Sequence, residues 1–317
     1  MDRFREMETF VAVVDAGSFV GASEKLRISK SVASRIVQEL EERLGGRLLH
    51  RTTRRLSLTE AGQSYYQRCQ QILDDMAEAE GAVRSEREKV FGSLKISAPL
   101  TFGTMHLARY WGEFLALHPQ VKLDINLVDR RVDLVGEGYD MAIRIAPQQE
   151  DSSLVTKKLA SSRMIMCASP GYLEAHGTPK KPEDMSKHQF IGYSYLPTGD
   201  VWKIKSRNSA EGIRTYPRLK VNNGDTCRAV ALAGLGIIIQ PSFIVGEDIL
   251  TGNLTEILPD WDVDERGIYA VYPTRQHLSG KVRALVDFLA EKFKSENWNS
   301  MLHGRANITK PNQSHLS

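Results

Sequence analysis

The sequence between residues 18 and 62 reads SFVGASEKLRISKSVASRIVQELEERLGGRLLHRTTRRLSLTEAG, and it decides the architecture of the first part of the chain. Ser18 precedes a short apolar segment as a helix N-cap, and either Ser29 or Ser31 caps a longer segment that ends before Gly45. An amphipathic segment comes before Ser18 and repeats its apolar residues at spacings of three and four. We therefore predict three helices, of which the last two are joined by a tight turn.

The third helix has the polarity of a DNA-recognition helix. Its apolar residues share one face, whereas its other face carries small polar and basic side chains. In a helix-turn-helix, the second helix of the pair enters the major groove with its N-terminal residues foremost. We predict DNA contacts from Ser29, Lys30, Ser31, Ser34, Arg35 and Gln38.

The segment after this helix predicts a β-hairpin wing. It starts apolar at Leu48, turns strongly basic, and then alternates at Leu56 and Leu58. Residues 25–55 carry nine Lys and Arg against three Glu, whereas the whole chain has a formal charge of only +3. Because a local basic cluster attracts phosphate, we predict backbone or minor-groove contacts from Arg51, Thr52, Arg54 and Arg55. The residues alone leave open a solvated arginine-rich face or a purely structural three-helix module.

A long helix is predicted from Thr59 onward. Its apolar residues recur at spacings of three and four, which is the pattern of a coiled-coil seam. About 30 residues at a rise of 1.5 Å give a shaft of roughly 45 Å, long enough to pair with a second copy. The predicted dimerisation residues are Tyr65, Ile72, Met76 and Ala79. The alternative is that this stripe packs on the chain's own domains.

Taken together, these residues resemble the LysR-type transcriptional regulators. The resemblance is carried by Ser18-Phe19-x-x-Ala22, Leu26-x-x-Ser29-x-x-x-x-Ser34-Arg35, Leu40-Glu41-x-x-Leu44-Gly45 and Leu48-x-x-Arg51-Thr52-x-Arg54-x-x-x-Leu58-Thr59-x-Ala61-Gly62. It implies a winged helix-turn-helix DNA-binding domain in residues 1–59, a linker and dimerisation helix in 60–91, and an effector-binding regulatory domain in 92–296. Residues 297–317 are polar and are expected to form a disordered tail. Two positions depart from the family pattern, Lys30 where Gln is frequent and Arg27 where Gly, Asn or His is frequent.

Strands and helices alternate from residue 92 onward, which predicts an α/β fold with parallel sheets. Helices are predicted over 104–117 and, briefly, over 133–137. The order of elements fits two subdomains joined by two crossings, subdomain I with residues 92–162 and 267–296 and subdomain II with residues 163–266. The resemblance implies that both are Rossmann-like, as in type 2 periplasmic binding proteins.

Ligands of such folds bind in the cleft, at the carboxyl ends of strands and at helix N-termini. Thr101 with free backbone N–H groups, and the guanidinium of Arg144, are suited to a carboxylate. The predicted effector-binding residues are Pro99, Leu100, Thr101, Phe102, Arg144, Asn223, Asp225, Pro241 and Phe243, with Tyr193 and Tyr195 as weaker candidates. The alternatives are structural, since Arg144 can pair with an acid, Asn223 and Asp225 can cap their helix, and Pro241 can end a strand.

The motif Ser97-Ala98-Pro99-x-x-Phe102-Gly103 resembles a subgroup of the LysR family. Members of that subgroup respond to aromatic acids and to electrophilic or phenolic stress, which implies a small anionic or aromatic effector. The expected partners are double-stranded promoter DNA, this effector, further copies of the chain in a dimer or tetramer, and RNA polymerase.

Several function classes are excluded by what the sequence lacks. No secretory signal or membrane-spanning stretch is expected, so we predict a cytoplasmic protein that is not bound to a membrane. The motifs G-x-S-x-G, G-x-x-x-x-G-K-[ST] and H-E-x-x-H are missing, and the histidines show no ligand spacing. We therefore predict no enzymatic activity, no catalytic residues, no metal site and no cofactor.

Three cysteines, Cys69, Cys167 and Cys227, lie far apart in the sequence, which fits free thiols in a reducing compartment. Thiol-based redox sensing through Cys167 and Cys227 is one alternative function. A small-molecule binding protein without a role on DNA is another, and the residues of the helix-turn-helix contradict it.

Overall fold

The computed structural model describes residues 2–51, 56–83, 90–147, 154–196, 201–206, 210–273 and 278–294. The chain divides into two compact units. The first contains Met1–Ser93 with the short pieces Gln120–Lys122 and Ser279–Lys281, and the second contains the rest of the described chain.

The first unit contains the predicted helices, hairpin and long helix. Its elements are α1 (Arg3–Asp15), α2 (Phe19–Leu26), α3 (Lys30–Leu44), β1 (Leu49–Arg51), β2 (Leu56–Leu58) and α4 (Glu60–Val83). The Ser18 hydroxyl accepts a hydrogen bond from the Gly21 N–H at 3.0 Å, and the Ser29 hydroxyl accepts one from the Val32 N–H at 3.2 Å. Ser29 is therefore the N-cap of α3, and Ser31 is its first-turn neighbour.

The turn between α2 and α3 is tight because Arg27 adopts a left-handed conformation with φ of 54°. This allows the Ile28 N–H to reach the Ser23 carbonyl at 3.0 Å and so close the end of α2. The left-handed conformation costs a residue with a side chain about 1–2 kcal/mol, which is why glycine or asparagine is common at such positions.

The apolar stripe of α4 divides into two parts. Cys69 is fully buried in the core of the first unit, and the ring centroid of Tyr65 lies 5.7 Å from that of Phe10 in the same core. Ile72 and Met76 are 41% and 39% exposed. Tyr65 therefore packs against the core of its own chain, whereas Ile72 and Met76 are open to a second copy. The side chain of Ala79 lies outside the described residues, and a dimer seam through these four residues stays a prediction.

The α/β part of the chain combines long strands with short helices. The strands are β3 (Phe91–Ala98), β4 (Gln120–Leu127), β5 (Met141–Ala146), β6 (Leu154–Ala168), β7 (Ile191–Tyr193), β8 (Val201–Lys205), β9 (Ala210–Arg214), β10 (Leu219–Val221), β11 (Ile238–Pro241), β12 (Thr255–Glu256) and β13 (Asp262–Pro273). The helices are α5 (Leu100–Phe102), a π-helical turn (Gly103–Leu107), α6 (Ala108–Leu117), α7 (Pro170–His176), a 3-10 turn (Pro182–Lys187), α8 (Gly224–Leu232), α9 (Ser242–Thr251) and α10 (Gly280–Lys294).

The main sheet is mixed, which corrects the prediction of parallel sheets. Its central path runs β11-β6-β13-β5-β3-β4, in which β3 and β5 are parallel but β13 is antiparallel to both β5 and β6. The predicted crossings between the two subdomains lie in β6 and β13, and because these strands pair antiparallel, the chain runs through them in opposite directions. Their pairing register shifts between Val263 and Arg266, beside the predicted crossing.

Two predicted helix boundaries also change. Residues 134–138 form turns in place of the helix predicted over 133–137, and the Asp133 carboxylate accepts the Gly136 N–H at 3.0 Å. The helix predicted from residue 104 already begins at Leu100, because the Asp129 carboxylate accepts the Leu100 N–H at 2.9 Å. A carboxylate from a distant segment therefore supplies the cap that the local sequence lacks.

Candidate functional site

The exposed face of α3 carries the side chains predicted to contact DNA. Lys30, Ser31, Arg35 and Gln38 are exposed, and Ser34 is half-buried. The Gln38 side chain donates to the Glu42 carboxylate at 2.9 Å, and the Arg35 Nε lies 3.8 Å from Glu39. These contacts follow the i, i+4 spacing and hold the polar stripe in place while leaving it open to solvent.

The wing is fixed to α3 by a buried carboxylate that the sequence analysis did not identify. Glu41 accepts hydrogen bonds from the backbone N–H groups of Leu48 at 2.8 Å and Leu49 at 3.1 Å. On the other strand, the Thr59 hydroxyl donates to the Arg47 carbonyl at 2.8 Å and accepts from the Gly62 N–H at 2.9 Å. Both ends of the hairpin are thereby attached to helices.

The predicted phosphate contacts of the wing begin at Arg51, the last residue of β1. Arg51 pairs with Leu56 as the last residues of the two antiparallel strands. The side chain of Arg51, and Thr52, Arg54 and Arg55, lie outside the described residues, so their contact with DNA stays a prediction.

The second unit contains a cavity of about 380 Å³, within the size range of small-molecule sites. It is lined by six of the nine predicted effector residues, namely Pro99, Thr101, Phe102, Arg144, Pro241 and Phe243. Leu100, Asn223 and Asp225 do not line it. Tyr193 and Tyr195, the weaker candidates, do.

Guanidinium groups dominate the charge of the cavity wall. Arg130, Arg131, Arg144 and Arg266 line it, and Asp129 is the one acidic residue in the described lining. Arg144, on β5, donates from Nη2 to the Val132 carbonyl at 2.8 Å. Arg130 forms a two-pronged pair with Glu137 at 2.8 and 2.5 Å, and this pair lowers the pKa of Glu137 to about 2.

Aromatic side chains form much of the remaining wall. The rings of Phe102 and Phe243 meet edge to face with centroids 5.2 Å apart. Trp202 of β8 also lines the cavity. The sequence did not identify Arg130, Arg131, Trp202 or Arg266 as effector residues, because they reach the cavity only through the tertiary fold. The wall as a whole is suited to an anion that also has an apolar or aromatic body.

One edge of the cavity, which we call the lip, is closed by a hydrogen-bond network between residues of the two predicted subdomains. The Thr101 hydroxyl donates to the Asp225 carboxylate at 2.9 Å, and the Asn223 amide donates to the Asp129 carboxylate at 3.2 Å. Burial raises the pKa of Asp129, and the nearby charge of Asp225 adds to this, while hydrogen bonds from Leu100 and Asn223 act against it. The Leu100 N–H is therefore not free for an effector carboxylate, contrary to the prediction.

None of the helices in the described part of the chain is long and apolar enough to cross a membrane. None of its clusters of His, Cys, Asp and Glu brings three such residues together in a way that could hold a metal ion.

Two family profiles match the chain, one at its N-terminal part and one over the α/β part. Residues 4–63 match the profile of the bacterial regulatory helix-turn-helix protein, lysR family, and residues 87–294 match the LysR substrate binding domain. An uncharacterized HTH-type transcriptional regulator of Haemophilus influenzae is 38% identical over 285 residues, covering 90% of this chain and 99% of that protein. The HTH-type transcriptional regulator PtxR of Pseudomonas aeruginosa is 34% identical, covering 90% of this chain and 92% of its own length.

Solved structures give the same result. CrgA of Neisseria meningitidis, a LysR-type transcriptional regulator, is 34% identical with a TM-score of 0.58, covering 91% of this chain and 98% of that one. The Vibrio cholerae virulence activator AphB is 28% identical with a TM-score of 0.58, covering 92% of this chain and 100% of that one.

Proposed function

This chain belongs to the LysR family of transcriptional regulators, and on that premise we propose which of its residues read DNA and which class of effector it binds. It has the helix-turn-helix domain and the substrate-binding domain of these regulators, and its binding to DNA is modulated by a small molecule. The proposal concerns α3, the wing and the cavity of the second unit.

We propose that α3 reads base edges through Ser34 and Gln38 and that Arg51 and Arg54 of the wing bind phosphates. The observation that carries this is the exposed polar stripe of α3 beside a hairpin fixed to the same helix by Glu41. A second copy, paired through Ile72 and Met76 of α4, would present two such heads to paired half-sites. A role of RNA polymerase as a partner stays a prediction.

Binding to selected DNA sequences at several salt concentrations tests this proposal. Arg51→Ala and Arg54→Ala should weaken binding to all sequences and reduce the salt slope by roughly one per lost phosphate contact. Gln38→Ala should instead relax the sequence preference with the salt slope retained. The exposed Lys203 of the second unit offers a matched control, since Lys203→Ala should change neither property. An unchanged slope in both arginine variants would remove the wing from the phosphate contacts.

For the cavity, we propose a small effector with one anionic group and an apolar or aromatic body. Four arginines and one carboxylate line the wall, and edge-to-face aromatic rings close it. The resemblance of the Ser97–Gly103 motif to the subgroup that responds to aromatic acids supports the same chemistry.

Benzoate and its neutral analogue benzyl alcohol distinguish the charged from the merely apolar site. Calorimetry should show tighter binding of benzoate to the full chain, and Arg144→Met should weaken benzoate about tenfold or more, the value of a charge-assisted hydrogen bond. Arg218→Met, at an exposed arginine that does not line the cavity, is the control. Equal binding of the two probes would refute the anionic assignment.

A further inference from the structure

Asp129 occupies the position at the lip where the sequence predicted an effector carboxylate. Its Oδ1 accepts the Leu100 N–H at 2.9 Å, and its Oδ2 accepts the Asn223 amide at 3.2 Å. Leu100 lies in subdomain I and Asn223 in subdomain II. One carboxylate of the protein therefore bridges the two sides of the cleft, as the carboxylate of a bound ligand would.

A second hydrogen bond crosses the lip beside the first one. Thr101 of subdomain I, only 3% exposed, donates its hydroxyl proton to Asp225 of subdomain II at 2.9 Å. The Asn223 amide also lies 3.5 Å from the Thr101 hydroxyl oxygen. One side of the lip thus contributes the donor Thr101 and the acceptor Asp129, and the other side contributes the donor Asn223 and the acceptor Asp225. These polar groups therefore bond to one another across the lip.

Helix capping explains only part of this network. Asn223 caps α8 with its Oδ1, which accepts the Thr226 N–H at 3.0 Å. The cap of α8 does not involve the Nδ2 group of Asn223. In the same way, the hydrogen bond that caps α5 at Leu100 uses only Oδ1 of Asp129. The Nδ2 to Oδ2 hydrogen bond contributes to neither cap, and it forms only when the two sides of the cleft are close together.

We propose that Asp129 is an internal substitute for a ligand carboxylate, which ties the two sides of the cleft together and keeps anions away from the lip. The effector's anionic group is then held by the arginines of the cavity wall, and the lip sets the specificity. A ligand with a second acidic group directed at the lip is rejected, because it would meet the carboxylates of Asp129 and Asp225. This inference rests on the effector site proposed above.

Chemical rescue by formate tests the substitute role. In the full chain, Asp129→Ala removes the carboxylate and leaves a space that formate fits. Amide hydrogen exchange at Leu100 should become at least about tenfold faster, since a charge-assisted hydrogen bond is lost. Added sodium formate should slow this exchange again in a saturable way, whereas sodium chloride at the same ionic strength should not.

Three controls make the result decisive. Asp124→Ala removes an exposed carboxylate from β4 and should show neither the faster exchange nor the rescue. Asp129→Asn keeps an oxygen acceptor in place, so it should exchange at an intermediate rate and ignore formate, and it serves if the alanine variant does not fold. Asn223→Ser keeps the cap of α8 but is too short to reach Asp129, so it should open the lip while α8 remains folded.

Two results would overturn the inference. Either formate fails to slow exchange in a folded Asp129→Ala protein, or it slows exchange equally in wild type and in Asp124→Ala. The proposed function fails independently of this, through loss of the benzoate or DNA effects described above, because the rescue is measured without either probe.

Discussion

Replacement of Glu41 should detach the wing from the recognition helix. Its carboxylate is 5% exposed and accepts two buried backbone N–H groups, those of Leu48 at 2.8 Å and Leu49 at 3.1 Å. A buried donor left without a partner costs about 1–3 kcal/mol, so Glu41→Ala should cost about 2–6 kcal/mol at this junction. Arg47, whose Nη1 lies 3.8 Å away on a mostly exposed side chain, adds little.

Glu41→Gln separates the effect of charge from that of shape. The amide oxygen can still accept both N–H groups, but hydrogen bonds to a neutral acceptor contribute about 1 kcal/mol each, against about 1.5–3 kcal/mol for a charged one. We therefore expect a loss of about 1–4 kcal/mol, smaller than that of the alanine variant.

Amide hydrogen exchange at Leu48 and Leu49 measures this junction directly. With tenfold for each 1.4 kcal/mol, Glu41→Ala should accelerate exchange by about 30-fold or more, and Glu41→Gln by roughly tenfold. Affinity for DNA should fall with the same ranking, because the wing loses its fixed position. Glu42→Ala is the control, since the Glu42 carboxylate holds only the Gln38 side chain on the solvent side of α3. Wild-type exchange in Glu41→Ala, or equal acceleration in Glu42→Ala, would refute the reasoning.

The remaining predictions concern one turn, one thiol and one exposed ion pair. Arg27→Gly should raise the free energy of unfolding by about 0.5 kcal/mol in urea titrations, because relief of the left-handed strain exceeds the added entropy of the unfolded chain. Cys227 is fully buried, and burial raises its pKa to about 11, so about 0.1% of the thiol is ionised at pH 8. Iodoacetamide should therefore label Cys227 far more slowly in the native than in the unfolded protein. Rapid labelling of the native protein would favour the redox alternative. Arg130 lowers the pKa of Glu137 to about 2. The contribution of this ion pair to the free energy of unfolding is therefore present above the unfolded pKa near 4.5 and is lost as the pH falls toward 2. In acid titrations, Glu137→Gln should lack this part of the loss of stability.

Local patterns determined what could be predicted in the first unit. The N-caps at Ser18 and Ser29 and the break at Gly45 each depend on hydrogen bonds or backbone angles within a few residues. Because these contacts involve only residues that are close together in the sequence, the positions of the helices could be predicted from it. The same holds for the hairpin, whose alternating residues Leu56 and Leu58 form β2.

Long-range contacts determined what could not be predicted. Asp129 and Asn223 are 94 positions apart, and no periodicity relates them. Their spacing in the fold depends on two subdomains brought together by the antiparallel crossing strands β6 and β13, a direction that strand-helix alternation does not specify. The sequence therefore identified Thr101, Asn223 and Asp225 as candidate effector residues, but it did not identify Asp129, to which Asn223 donates a hydrogen bond.

The charge count of residues 25–55 shows the same difference between composition and placement. Arg43 pairs with the buried Glu6 of α1, which raises the pKa of Arg43, so this positive charge is used inside the first unit. Glu41 is buried at the wing junction, where its carboxylate accepts the Leu48 N–H and lies 3.8 Å from Arg47. The electrostatic attraction to phosphate then comes from the exposed cations of the segment, such as Arg27, Lys30 and Arg35, and from the predicted wing arginines, rather than from the segment as a whole. For this reason the salt dependence of DNA binding should be governed by a few positions, and replacing wing arginines should change it more than their share of the total charge suggests.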